Sequence, residues 1–221
     1  MSAPWSIALA YAVGCISFAS LAAHLRGVDI RSSGSGNPGA TNVGRVLGRG
    51  WGLAVLVLDV AKGFVPVWLL TAPLSELGFA ASAPIFVDPQ GKVLILFFAV
   101  LGHIYPVNKG FKGGKGVATL LGGTLAFDPT LALIAVFIHL VLKRMLGFVS
   151  VASVALGWTL PISQVVGRAF GWKSYGLDGT GVLAALALLI TVRHLDNFRR
   201  IRAGTEDRYD APSDDIPTRT V

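Results

Sequence analysis

Of the 221 residues, 53% are hydrophobic and only 14% charged, with a mean hydropathy of +0.65. A soluble chain of this length could not bury so much apolar surface, so the composition defines a polytopic membrane protein and excludes an ordinary soluble fold. The formal net charge of +7 would suit a nucleic-acid binder, but the basic residues fall in short clusters between apolar runs, where membrane orientation accounts for them; a lone Cys15 excludes an intramolecular disulfide and a cysteine-based zinc site.

In chain order, the first apolar run covers residues 5–23. No Lys or Arg precedes it, which argues against a cleavable signal peptide. Arg26 and Arg31 follow it, so the positive-inside rule predicts the N-terminus outside and the 24–50 loop in the cytoplasm. A second run, 51–73, carries Asp59 and Lys62 at membrane depth, which reads equally as a functional flag and as a mutual i, i+3 pair. The external loop 74–91 holds Glu76 and Asp88 and no basic residue, and a third run, 92–107, returns to the cytoplasm at Lys109, Lys112 and Lys115. The stretch 117–142 is long enough for one span, but Asp128-Pro129 is a turn signal, and two short spans keep Lys143 and Arg144 cytoplasmic. The sixth run, 147–166, leads to a loop with Trp172 and Tyr175 as interfacial aromatics and with Arg168 and Lys173 as exceptions to the charge rule. The seventh, 179–192, ends on Arg193, His194, Arg199, Arg200 and Arg202.

The expectation is therefore an all-α integral membrane protein of seven transmembrane helices, some short, with the N-terminus outside and the C-terminus cytoplasmic. One domain covers residues 1–208, and a polar, disordered tail with Pro212 and Pro217 covers 209–221. No internal repeat is visible, direct or inverted.

On this topology every unusual polar motif lies on the cytoplasmic face. The stretch from Ser33 to Arg45 is rich in Gly, Ser and Asn, and can present backbone amides around an oxyanion, with Arg45 pairing bidentately to phosphate. As a mere flexible turn it would leave the donors of Asn37, Thr41, Asn42 and Arg45 idle. Lys112-Gly113-Gly114-Lys115-Gly116-Val117-Ala118-Thr119 reads as a phosphate-binding turn feeding a helix N-terminus; the competing reading is a set of anchors for anionic lipid. Gly116, rather than Ser or Thr, follows Lys115, so this is not an ATP-binding P-loop.

His103, at a span end, could serve as acid, base, donor or structural residue. His194 and Asn197 share a helical face at i, i+3, as do Ser150 and Ser153, although serine also serves helix packing in membranes. Glu206, in a Gly204-Thr205-Glu206 turn, orients a basic partner or holds the tail shut, whereas His24 and His139 lack polar company and read as structural. No metal-ligand spacing appears, and neither metal nor cofactor is expected.

Taken together, Gly34-Ser35-Gly36-Asn37-Pro38-Gly39-Ala40-Thr41-Asn42, Gly102-His103-Ile104-Tyr105-Pro106-Val107 with Phe111 to Thr119, and a third block of Ser150, His194, Asn197, Gly204 and Glu206 resemble the bacterial PlsY family of acyl-phosphate-dependent glycerol-3-phosphate acyltransferases, from the first span to about residue 208. Asn108-Lys109 and Gly147-Phe148 depart from that pattern without touching a donor. The resemblance implies seven helices in the bacterial inner membrane with the active site facing the cytoplasm. It implies transfer of a fatty acyl group from acyl phosphate to the 1-hydroxyl of sn-glycerol 3-phosphate, giving lysophosphatidic acid and inorganic phosphate, the first acylation of phospholipid synthesis. Catalysis would fall to Ser35, Asn37, Arg45, Lys115, Ser150, His194 and Asn197; substrate binding would fall to Gly34, Gly36, Gly39, Thr41, Asn42, His103, Lys112, Gly113, Gly114, Gly116 and Glu206. Acyl phosphate, glycerol 3-phosphate and membrane lipid are the implied partners. The hydroxyl proton could pass to His194 or to the substrate's own phosphate. The rival readings are a transporter for phosphate or phosphate esters, which should show broken mid-membrane helices and pseudo-symmetry, and a scaffold for lipid-synthesis partners.

Overall fold

The computed structural model describes residues 3–71, 89–172 and 176–209, and within them the regular structure is entirely helical. Ten helices follow in order: α1 (Ala3–Gly14), α2 (Phe18–Leu25), α3 (Ala40–Leu47), α4 (Arg49–Thr71), α5 (Pro89–Ile104), α6 (Val117–Phe127), α7 (Pro129–Leu146), α8 (Val149–Ala169), α9 (Gly176–Arg193) and α10 (Leu195–Arg202). All seven apolar runs appear as helices. By length and apolarity five stretches among the described residues suffice to cross a bilayer: Trp5–Leu25, Arg49–Leu70, Gly91–Lys109, Pro129–Leu146 and Val149–Ala169. A sixth is added if α9 and α10, bent by 46° at their junction, count as one. With 11 residues, α6 rises only ~16 Å, about half the apolar thickness of a bilayer. Glu76, Asp88, Lys173, Tyr175, Pro212 and Pro217 lie outside the described residues.

Two features depart from the expected outline. The first run is broken: α1 stops at Gly14, and Ser17 caps α2 by accepting from the Ser20 amide at 3.3 Å. The Ile16 carbonyl freed by the break accepts from Lys62 Nζ at 2.8 Å, and the same ammonium pairs with Asp59 at 2.8 Å. Both charges are buried, so the pair compensates itself and terminates a backbone. The second departure is α3, which occupies what reads as open loop. Its Val43 is buried with Ala19, Ala23, Ile30 and Val55, and this apolar side makes the segment an amphipathic helix rather than a linker.

The break between α6 and α7 falls at Asp128, whose carboxylate accepts from the Leu131 amide at 2.9 Å while Pro129 opens α7. In the core, α5 contributes Val93, Ile95, Leu96, Ala99, Val100 and Ile104, packed with Leu120, Leu156, Leu160, Leu186 and Ile190. Backbone touches backbone where a glycine of one helix faces the main chain of the next. A Cβ on Gly63 of α4 would stand 2.0 Å from the Thr119 carbonyl oxygen, and one on Gly122 of α6 would stand 1.9 Å from that of Val60. Such small-residue contacts let helices pack where apolar lipid supplies little drive for association. Leu53 and Val57 of α4 and Leu133, Phe137 and Leu140 of α7 point outward, an apolar surface suited to lipid.

Candidate active site

Three polar segments converge at one end of the bundle: the loop before α3, the loop between α5 and α6, and the bend between α9 and α10. The first loop wraps around one side chain. Asn42, buried in the first turns of α3, accepts from the Ser35 amide at 2.8 Å and donates to the carbonyls of Ser33 at 3.0 Å and Ile30 at 3.3 Å. Gly34 and Gly36 take positive φ values of 57° and 71°, and a Cβ on Gly34 would stand 2.4 Å from Asn42 Oδ1. Only glycine accepts both conditions at Gly34.

The second loop folds back on the end of α5. The amides of Gly113 and Gly114 donate to the carbonyls of Ile104 and His103 at 3.0 and 3.1 Å. Gly114 lies on the His103 ring, where a Cβ would be 2.2 Å from Nε2, and the other ring nitrogen is 3.2 Å from Thr119 Oγ1 and 3.8 Å from Asp59. Two arginines occupy the carbonyls of this loop: Arg193 donates to Gly113 and Gly114 at 3.1 and 3.4 Å, and Arg31 donates to Lys112 at 2.6 Å. Arg31 thereby ties the two loops together.

At the third segment, Asn197 of α10 accepts from Lys115 Nζ and donates to Glu206 at 2.6 Å. The other oxygen of Glu206 accepts from Arg200 at 2.7 Å. The result is a continuous network of Lys115, Asn197, Glu206 and Arg200, with its carboxylate held on both sides. Between the segments lies a cleft of about 480 Å³, lined by Arg31, Ser35, Gly36, Asn37 and Pro38 from the first, Lys112, Gly113 and Lys115 from the second, and Val192, Arg193, Asp196, Asn197 and Arg200 from the third. Five cationic side chains face it against one carboxylate, Asp196, which already pairs with Arg199 at 2.6 Å. Such a cleft favours a multiply charged anion.

Burial pushes the Lys115 ammonium down to about 8; Glu206 pulls it back up, while Arg200, Arg193 and Arg45 push it further down. Burial likewise pushes His194 down to about 4, with the Lys115 charge acting in the same direction. Its Nδ1 donates to the Ile190 carbonyl at 2.8 Å, which leaves Nε2 as the nitrogen with a free lone pair.

Of the residues singled out from the sequence, Ser35, Gly36, Asn37, Lys112, Gly113, Lys115 and Asn197 line the cleft. Gly34, Asn42, His103, Gly114, Gly116 and Glu206 do not line it; they shape its walls, Gly116 by capping α6 with a φ of 85°. Arg45 stands outside the lining and pairs with Asp207 at 3.1 Å. Thr41 is exposed and Gly39 half-buried as the N-cap of α3, and neither lines the cleft. His194 and Ser150 are buried and do not line it, and the Ser150 hydroxyl finds no hydrogen-bond partner among the described residues. Arg31, Arg193, Arg200 and Asp196 are cleft residues that the sequence reading used only as topology markers or passed over. Arg193, Asn197 and Arg200 follow one helical stripe at i, i+4 and i+7, a signal that was available. Arg31 has no such signal.

Fold and cleft together define a polytopic, all-helical membrane protein with a cation-lined cleft at one end of its bundle. A family profile described as glycerol-3-phosphate acyltransferase matches residues 5–204, and the chain belongs to that family. A glycerol-3-phosphate acyltransferase of Geobacter sulfurreducens is 40% identical over 208 residues, covering 92% of this chain and 96% of the relative. One of Aquifex aeolicus is 36% identical, covering 95% and 100%. The crystal structure of PlsY (YgiH), an integral membrane glycerol 3-phosphate acyltransferase, is similar in its glycerol 3-phosphate form with a TM-score of 0.81 at 35% identity, covering 95% of this chain and 96% of that one. Its lysophosphatidic acid form gives a TM-score of 0.79.

Proposed function

We propose that this protein transfers a fatty acyl group from acyl phosphate to the 1-hydroxyl of sn-glycerol 3-phosphate, at the cytoplasmic face of a bacterial inner membrane, giving lysophosphatidic acid and inorganic phosphate. The observation that carries this reading is the cleft: two glycine loops and five cations at one end of an apolar bundle, in a chain of the acyltransferase family. Acyl phosphate is already activated, so the protein has mainly to hold two phosphates, orient the hydroxyl and stabilise developing charge. Ser35, Asn37 and the amides around Gly36 hold the acyl phosphate, and Arg45 adds charge. Lys112 and Lys115 neutralise phosphate, while Ser150, His194 and Asn197 complete the glycerol phosphate side. The hydroxyl oxygen attacks the acyl carbon, the bond from that carbon to the phosphate oxygen breaks, and orthophosphate departs.

Basicity favours a phosphate as the proton acceptor. At about 4, the His194 imidazole is ~100-fold less basic than a phosphate monoester with its second pKa near about 6. Neutral His194 instead accepts a hydrogen bond from the hydroxyl through Nε2. His194→Ala should then raise the KM for glycerol 3-phosphate and keep the limb of the pH profile set by phosphate; disappearance of that limb in the variant would return the base role to His194.

The gathering of the polar motifs at one end of the bundle supports an enzyme over a transporter, whose binding groups belong at mid-membrane. The direct test gives purified protein glycerol 3-phosphate with acyl phosphate, acyl-CoA or acyl-carrier protein as donor. Lysophosphatidic acid should form with acyl phosphate alone and in the presence of chelator. Product from acyl-CoA only, or uptake into proteoliposomes without product, would overturn the proposal.

A further inference from the structure

Arg45 stands apart from the other cations of the site because it lies outside the cleft lining, where its guanidinium pairs with a carboxylate of the segment after α10. It extends from the last turn of α3, 20% exposed, and meets the half-exposed carboxylate of Asp207 at 3.1 Å. Asp207 does not reach that position by chance of a loose tail. Its neighbour Glu206 is fixed by Asn197 and Arg200, and two residues on, the Tyr209 amide donates to the Gly147 carbonyl at 3.0 Å while the Tyr209 ring lies 4.8 Å from the Lys143 ammonium. The backbone that carries Asp207 is therefore pinned on both sides, and little side-chain order remains to be lost when the ion pair forms. The Arg45 charge also reaches the cleft, since it is one of those that act on Lys115.

We propose that Asp207 is a built-in competitor for Arg45: it holds the guanidinium at the rim of the empty cleft, yields it to an incoming phosphate, and takes it back as the phosphate leaves. This rests on the reading that Arg45 serves a phosphate in the cleft. A phosphate dianion brings more charge than a carboxylate and matches the guanidinium fork equally well, so it wins the exchange at the cost of breaking the existing pair. An ion pair this exposed weakens phosphate binding by only a modest factor, roughly two- to five-fold. Asp207 acts through Arg45 and is a positioning residue.

The test titrates the purified full chain with orthophosphate, using ligand-dependent thermal shift, for the wild type, Asp207→Asn, Asp207→Ser, Arg45→Ala and the Arg45→Ala/Asp207→Asn double variant. Both Asp207 variants should bind orthophosphate about two- to five-fold more tightly than the wild type, and Asp207→Asn should have no effect once Arg45 is absent. Unchanged or weaker binding in the Asp207 variants, or an effect that persists without Arg45, overturns the inference. Because orthophosphate binding needs no turnover, a wild type that binds it but makes no lysophosphatidic acid would reject the proposed reaction and leave the competition between Asp207 and phosphate to be judged on its own.

Discussion

Lys115→Met should separate activity from stability, since the ammonium is held where it is expensive to keep charged. The fall in its pKa from 10.5 to about 8 means that the charged form is less favourable in the fold by ~3 kcal/mol at neutral pH. Methionine keeps the alkyl chain and removes that penalty. Against this, Asn197 Oδ1 loses its donor, a loss of about 1–2 kcal/mol. The net is a stabilisation of ~1–2 kcal/mol, or an upward shift of roughly 2–6 °C in Tm for a chain of this size. Losing a cation placed on a phosphate should meanwhile lower kcat/KM by about 10²- to 10³-fold. The assays are a melt without substrate and initial rates with acyl phosphate and glycerol 3-phosphate. A variant that loses Tm together with activity would show the ammonium to be a structural tie, and one that retains more than a tenth of wild-type kcat/KM would remove Lys115 from the phosphate site.

Three further outcomes follow from the same geometry. On the alkaline side kcat/KM should decline around pH 8, because Lys115 is protonated below its folded pKa and loses its charge as pH rises through it; the decline should be missing in Lys115→Met, and a wild-type profile flat to pH 10 would contradict the assignment. Asn42→Ala removes one acceptor and two donors from the first loop, so it should cost ~2–4 kcal/mol of stability and raise KM several-fold, measurable by melts and steady-state kinetics. Gly122→Ala places a methyl 1.9 Å from the Val60 carbonyl oxygen and should lower stability by ~2–3 kcal/mol or prevent folding, whereas Gly181→Ala, with open space at its Cβ, should melt like the wild type.

The membrane class and the chain positions of the apolar runs that became helices were legible in the sequence because both follow from local properties. An apolar run of about twenty residues demands a helix in lipid whatever surrounds it, and Asp128-Pro129 ends one helix and starts another through its own capping chemistry. The two glycine loops were equally visible, since a chain uses interleaved glycine, asparagine and lysine only where backbone must approach something closely. What each residue does inside those loops depended on neighbours far along the chain. Asn42 looks like one more donor among several until Ser35, Ser33 and Ile30 are seen wrapped around it. Arg31 and Arg193 look like markers of membrane orientation until they are found holding the carbonyls of a loop about 80 residues away in sequence. Composition and periodicity fix which segments are buried in lipid and which carry polar donors; only packing decides which donors spend themselves on the protein and which are left for a ligand, because a hydrogen bond is settled by distances that sequence spacing does not encode.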